Sequence, residues 1–407
     1  MNIRYQSLRS NNAIDSQSMN DRGRDRGGIK LKSIDHHNNN NNHKSEKEIN
    51  EELIERQKNR IPSDDFLNGI HQPFNIVPFF HRAYKYQNNN INNNNNNNNN
   101  NRHEQSDDKT TTTTTTNTIS TTMVTIVTQA TVDRIERVVA MAKKWKGPIS
   151  TAVFIKNPKD IPQLKKLLRK HWILAEYVDI HLLYANHTRY PVNNLRNLSI
   201  KYAQSDYVLL MDADFVPHLG MNEYVSAQIE TLLQQQQQQQ QNKHPLSSHE
   251  QQQQEEKIAF VVPSFASSEN PNHLPNDKQS LLKMIKENKV YPTNLNVCPK
   301  CHTPTNYSRW YETDDLYQVE YRWIYEPYLI FNRSTCLAFD ERLKGYGFDK
   351  NSQVFTMAAQ GFKFMVLQAF IIHINHPAAS WEGPSLDEQQ WDSLRIVPIT
   401  DVTNNTE

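Results

Sequence analysis

The sequence predicts an α/β domain built on a parallel, doubly wound sheet. Two observations carry this expectation. From residue 123 to 211, short β-branched or apolar runs alternate with stretches of helical period, the pattern of strand–helix–strand units. The last of those runs, Tyr207-Val-Leu-Leu210, leads directly into Met211-Asp-Ala-Asp-Phe-Val216. A buried strand there delivers two carboxylates to the end of a sheet, where open α/β folds bind their ligands.

The elements follow in order. Met123-Val-Thr-Ile-Val-Thr128 is β-branched and reads as a strand. Residues 131–146 place Val132, Ile135, Val138, Val139 and Ala142 on one helical stripe, which Gly147-Pro148 ends. Residues 149–155 are a second strand. Residues 161–171 are a helix with Pro162 in its first turn, where proline is tolerated. Residues 178–184 are a third strand, 192–203 a helix and 207–211 a fourth strand. A helix over 222–233 and a strand over 258–262 bracket a glutamine-rich loop insertion, 234–256. An insertion of that kind adds little closure entropy. Further strands are expected at 325–331, 364–367 and within 369–377, with a helix at 352–360.

Composition sets the outer limits. The chain has 407 residues, yet residues 38–42, 88–101, 110–116, 234–241 and 251–254 are near-homopolymer Asn, Thr or Gln tracts. Such runs bury too little apolar surface to offset backbone ordering. Residues 1–118 therefore read as a disordered leader, with one apolar island at 74–80, and 119–400 as the folded domain ahead of a 401–407 tail. The charge is balanced, 45 basic against 44 acidic residues, which gives no case for a nucleic-acid partner. No 18-residue apolar stretch and no hydrophobic signal core are written in the sequence, so no membrane anchor is expected from it. Sequons at Asn186, Asn197, Asn306, Asn332 and Asn404 are weak pointers to a secretory route in a chain this rich in Asn and Thr. Cys298-Pro-Lys-Cys301-His302 has the spacing of half a zinc site or a haem attachment. With one pair only, a loop disulfide or two free thiols compete with a metal role.

Side chains at i and i+2 of an extended chain point the same way, so Asp212 and Asp214 converge on one cation if the strand geometry continues. Carboxylates suit Mg²⁺ and Mn²⁺, and a solvated turn is the plain alternative. His373 follows the apolar run 369–372 and is either a further ligand or a core histidine. Asp340, Glu341 and Asp349 flank the Gly345-Tyr-Gly347 turn and supply candidate bases, with a salt bridge to Arg342 as the alternative for the first two. Trp310, Tyr311 and Tyr328 offer sugar-stacking rings or core packing.

These segments together resemble glycosyltransferase family 49, which includes the C-terminal domain of the LARGE-type transferases and a β-1,4-glucuronyltransferase. The resemblance rests on Val124-Thr-Ile-Val-Thr-Gln129, Trp145-Lys-Gly-Pro-Ile-Ser150, Tyr190-Pro-Val-Asn-Asn-Leu-Arg-Asn197 and Tyr207 through Pro217. It continues through Phe260-Val-Val-Pro-Ser-Phe265, Pro304 through Trp310, Glu326-Pro-Tyr328, Phe339 through Phe348 and Phe370-Ile-Ile-His373. It implies a GT-A fold, with a Rossmann-like nucleotide-sugar half and an acceptor half. It also implies inverting transfer from a UDP-sugar to a glycan or glycoprotein acceptor, with glucuronic acid as the candidate sugar and Mn²⁺ or Mg²⁺ as cofactor. Asp212, Asp214 and His373 match the family's metal ligands. Arg196 and Asn197, with Asp212, match its donor pocket. Asp340 and Glu341 match its acidic acceptor segment, with Asp340 the expected base. The family's setting implies a Golgi lumen or membrane. Asp349 departs from the family pattern, which has a neutral Asn there. An inactive sugar- or nucleotide-sugar-binding relative is the alternative function.

Overall fold

The computed structural model describes residues 74–86, 123–184, 189–241, 256–295, 298–345 and 347–374. Strand β2 (Val124–Thr131) feeds a short 3-10 turn and helix α1 (Ile135–Trp145), which buries Ile135, Val138, Val139 and Ala142 as its spacing requires. Then come β3 (Ile149–Ile155), α2 (Asp160–Lys170), α3 (Trp172–Tyr177), β4 (Val178–Tyr184), α4 (Val192–Lys201) and β5 (Tyr207–Leu210). These four strands are parallel, in the order β4-β3-β2-β5. The order turns back between β2 and β5, which makes their carboxyl ends a topological switch point.

Past β5 the sheet is mixed. Strand β11 (Tyr328–Asn332) lies antiparallel between β5 and β7 (Ile258–Val262), β12 (Lys363–Val366) runs parallel to β7, and β10 (Tyr317–Val319) closes that edge. The all-parallel expectation therefore holds only for the first half. A smaller sheet has the order β6 (Phe215–Pro217), β13 (Ile371–His373), β8 (Ser264–Ser267) and β9 (Val290–Pro292). Three strands thus leave the large sheet and re-enter the small one: β5 into β6, β7 into β8 and β12 into β13. The Asp212–Asp214 segment is the first of these crossings. Its backbone is a turn, in which Phe215 N–H donates to Asp212 O at 3.1 Å. The i, i+2 geometry of a strand does not apply there.

Among the described residues, five α-helices follow β6: α5 (Met221–Gln241), α6 (Lys278–Lys286), α7 (Pro299–His302), α8 (Tyr307–Glu312) and α9 (Asp349–Ala359). Alternate residues of β2 enter different cores. Ile126 packs with Ile135, Leu182 and Ile330, and Val127 with Phe265, Trp310 and Phe370.

Two boundaries differ from the sequence expectation. The apolar island assigned to the leader is strand β1 (Asn75–His81), paired antiparallel with β4 at the edge of the large sheet. Ala83 N–H donates to buried Asp179 at 2.8 Å and Phe79 N–H to His181 at 3.0 Å. These bonds satisfy polar side chains that face the sheet edge. Glutamines 234–241, expected in a loop, continue α5, because Gln is a good helix former once a helix has started. The remainder of 1–118, residues 242–255 and the 401–407 tail lie outside the described residues, as do Asn186 and Asn404.

Candidate active site

The site forms where β2, β5 and the crossings meet. Gln129, near the end of β2, donates to Asp212 Oδ1 at 2.8 Å. Buried Tyr328, the first residue of β11, donates its hydroxyl to Asp212 Oδ2 at 2.9 Å. From the first turn of α9, Lys350 Nζ approaches the same oxygen at 3.2 Å and Glu326 Oε1 at 3.3 Å. Arg196 of α4, 2% exposed, places one guanidinium nitrogen 2.6 Å from Asp349 and the other 3.6 Å from Asp212 Oδ1. Burial alone would raise the Asp212 carboxyl. The Lys350 ammonium and Arg196 guanidinium outweigh it and hold the group down at about 2. Burial opposes the charge on Lys350, but Asp212, Tyr328 and Glu326 drive its ammonium well above the ordinary range.

Asp214 has a different set of neighbours. The β6–β13 ladder pairs Phe215 with His373, and Ile374 N–H donates to Asp214 O at 2.8 Å. His373 Nε2 stands 3.6 Å from Asp214 Oδ2, and Arg137 of α1 stands 3.8 Å from the same oxygen. The structure therefore brings His373 to Asp214 across about 160 residues of chain, the pairing that β-ladder register enforces.

Two carboxylates and an imidazole are a chemically suitable donor set for Mn²⁺ or Mg²⁺. Among the described residues, however, no group of three or more His, Cys, Asp and Glu side chains is assembled as a metal cage. Asp214 and His373 face each other, whereas Asp212 is turned to Lys350, Tyr328 and Gln129. The residues fit a cation once Lys350 yields its place on Asp212.

The expected catalytic acids are held elsewhere. Asp340 is chelated by its neighbour: Arg342 Nε donates to Oδ1 at 2.9 Å and Nη2 to Oδ2 at 2.6 Å. Partial burial would raise this carboxyl, yet the Arg342 bonds bring it below its ordinary value. Glu341 accepts from Asn194 at 2.7 Å and from Asn197 at 3.0 Å. Asp349 is locked on Arg196. Glu341 and Asp349 therefore fix the 339–349 segment to α4, and Asp340 is closed within the segment itself. Asn197, expected in the donor pocket, spends its side chain on that segment, donating to Phe339 O at 2.9 Å and accepting from Phe339 N–H at 2.9 Å. Trp310 is core, fully buried with its indole N–H on Leu367 O at 2.9 Å. Half-buried Tyr311 packs edge-on against it.

Sequence reasoning missed Gln129, Arg137, Glu326 and Lys350 as members of this site. Buried atoms without a hydrogen-bond partner, Arg196 Nε, Arg137 Nη1 and Gln129 Oε1, surround the two aspartates. Such atoms are costly unless a ligand completes them. The Cys298–Cys301 pair is a disulfide with Cα atoms 5.4 Å apart, which excludes the free-thiol and metal alternatives for it in this state.

Asp212 and Asp214 thus stand at an α/β switch point beside three cations, Arg137, Arg196 and Lys350. Residues 123–189 and 182–382 match the family described as "Glycosyl-transferase for dystroglycan", and the chain belongs to that family of glycosyltransferases. It is 50% identical over 275 residues to glycosyltransferase-like protein gnt14 of Dictyostelium discoideum, covering 67% of this chain and 40% of that one. It is 40% identical over 390 residues to gnt15 of the same organism, covering 67% and 76%. It is 32% identical over 273 residues to human xylosyl- and glucuronyltransferase LARGE2, covering 66% and 34%. The chain thus spans about two fifths of gnt14 and a third of LARGE2. Among the described residues, no helix is long and apolar enough to cross a membrane.

Proposed function

We propose that the domain transfers a sugar, with inversion, from a UDP-sugar to a glycan or glycoprotein acceptor, using Mn²⁺ or Mg²⁺ at Asp212, Asp214 and His373. Glucuronic acid is the donor sugar we place first, because the LARGE2 relatives are named for xylosyl and glucuronyl transfer. The observation that supports the reading is the approach of His373 to Asp214, 3.6 Å apart, on the crossing from β5 to β6 that also carries Asp212, with Arg137 and Arg196 beside them.

In this reading Arg137 and Arg196 bind the donor diphosphate. Both guanidinium groups present a buried nitrogen with no hydrogen-bond partner, Arg137 Nη1 having only its 3.8 Å approach to Asp214, and guanidinium matches phosphate oxygens in pairs. When bound, the cation neutralises charge that develops on the leaving diphosphate. Gln129 and Tyr328 orient the Asp212 carboxylate. The Cys298–Cys301 disulfide supports an oxidising, secretory compartment such as the Golgi lumen.

A second reading, a nucleotide-sugar-binding protein without transfer, is favoured by one observation: the Lys350 ammonium already neutralises Asp212. One experiment separates the two. The full chain is incubated with a panel of UDP-sugars and MnCl₂, and released UDP is measured with and without chelator. Chelator-sensitive UDP release from at least one donor is the transferase result. UDP binding with no release from any donor is the binding-protein result.

A further inference from the structure

Among the described residues, Asp340, Glu341, Asp349 and Glu326 stand at this end of the domain besides the two acids expected on the metal and the exposed Asp133 near Arg137, and three of those four are committed. Asp340 is closed by Arg342, Glu341 by Asn194 and Asn197, and Asp349 by Arg196. The fourth is Glu326. Its carboxylate is about a quarter exposed and touches Lys350 at 3.3 Å, the same ammonium that reaches Asp212 at 3.2 Å. It is therefore open to an incoming molecule and one cation away from the donor site.

The backbone around Glu326 is built to hold that position. Ile324 has φ of 63°, a left-handed conformation that a β-branched residue adopts only under constraint. The constraint is visible: Asn351, beside Lys350 on α9, donates to Ile324 O at 2.8 Å. Tyr325 is fully buried, with its hydroxyl 3.0 Å from that of Thr305. Glu326 N–H donates to Cys301 O at 2.9 Å, inside the disulfide-closed turn. Pro327 then restricts Glu326 to extended backbone. Strain of this kind is retained where a side chain must be aimed. Trp323, 37% exposed on the same loop, offers an apolar ring face of the type that sugars stack on.

We propose that Glu326 is the base that takes the acceptor's proton, with Lys350 as its positioning residue. The inference rests on the inverting-transfer reading above. As the acceptor hydroxyl oxygen bonds to the anomeric carbon, its proton passes to the Glu326 carboxylate. The bond from that carbon to the diphosphate oxygen breaks, and UDP leaves with the bonding pair.

The test uses the full chain, the UDP-sugar that the donor panel identifies, MnCl₂ and a set of p-nitrophenyl pyranosides as acceptors. Glu326→Gln is expected to lower kcat at least 100-fold, the usual share of a general base. The donor KM and the UDP affinity, measured by calorimetry with MnCl₂, are expected to stay within about threefold of wild type by the same principle. Glu320→Gln, a change on the exposed part of the loop, is the control. Should Glu326→Gln fail to fold, Glu326→Asp withdraws the acid by one methylene and is expected to lose roughly tenfold in kcat at unchanged UDP affinity. Full activity in Glu326→Gln, or a loss of UDP binding equal to the loss of turnover, overturns this proposal alone. A wild-type chain that turns over no UDP-sugar overturns the transferase reading and this proposal with it.

Discussion

Lys350 Nζ lies 3.2 Å from Asp212 Oδ2, so an ammonium group sits on a carboxylate expected to ligate a metal. The Tyr328 hydroxyl is 3.4 Å from the same nitrogen, and Glu326 completes its surroundings. Lys350 thereby brings this point close to charge balance. Replacement of Lys350 by Met removes that cation and leaves two carboxylates short of a partner. Breaking such a buried pair costs about 3–5 kcal/mol. A cation that binds the folded state recovers part of it by mass action. Lys350→Met should therefore melt well below wild type without metal and be raised by MnCl₂ more than wild type is. Differential scanning fluorimetry with and without MnCl₂ checks this. An equal metal shift in both proteins would refute it.

Arg196 and Asp349 form the other buried pair, at 2.6 Å. Asp349→Asn keeps the shape and removes the charge, while Arg196 retains Asn193 at 3.0 Å and Asp212 at 3.6 Å. The expected cost is about 1.5–3 kcal/mol, that of a hydrogen bond to a charged group, read by urea unfolding. Arg196→Ala leaves Asp349 unpaired and should cost more. The reverse order would contradict the arrangement.

Acid sensitivity should begin earlier than carboxylate titration. Burial pushes the His181 imidazole down to about 4 and that of His302 to about 3. Below about pH 6.5 the unfolded chain binds protons at these histidines that the folded chain does not, so stability falls with pH there. Each contributes a slope near 1.4 kcal/mol per pH unit until its folded value is reached. The Asp212 contribution runs in the same direction but lower. It is complete above about pH 4 and is lost as pH falls towards 2. Denaturant unfolding at pH 7.5, 6 and 5 should show a continuous decline that is shallower in a His302→Gln protein.

The Cys298–Cys301 disulfide closes a turn of only four residues, so its chain-entropy contribution is small, about 2 kcal/mol. Because Cys301 O holds Glu326 N–H, reduction should lower turnover more than it lowers the melting temperature. Dithiothreitol titration with both readouts tests this. Unchanged turnover in fully reduced protein would contradict the coupling.

Local order was the part legible in the sequence. Val124–Thr131 announces a strand by β-branching, the α1 stripe announces a helix by period, and Asp212-Ala-Asp214 announces a sheet end. What pattern alone does not carry is which distant polar residues meet. Lys350 lies just ahead of the helix expected at 352–360 and carries no motif, and Asp212 lies 138 residues before it. Their contact depends on β11 entering antiparallel beside β5, and no periodicity encodes that. Asp340 shows the opposite case. Its partner Arg342 is two residues away, so the local salt bridge was visible beside the catalytic expectation, and the structure contains it. The glutamine tract misleads for another reason, since a homopolymer has no amphipathic period by which a continuing helix is recognised.

The metal-centre role proposed for Asp212 and Asp214 is the point on which the transfer reading turns. It is tested most directly by comparing Mn²⁺-dependent UDP release in the wild-type chain and in the Asp212→Asn/Asp214→Asn double mutant, with folding monitored alongside. The account predicts a folded double mutant whose release falls at least 100-fold, on the scale of electrostatic contributions to catalysis. Equal release by the two proteins would contradict it.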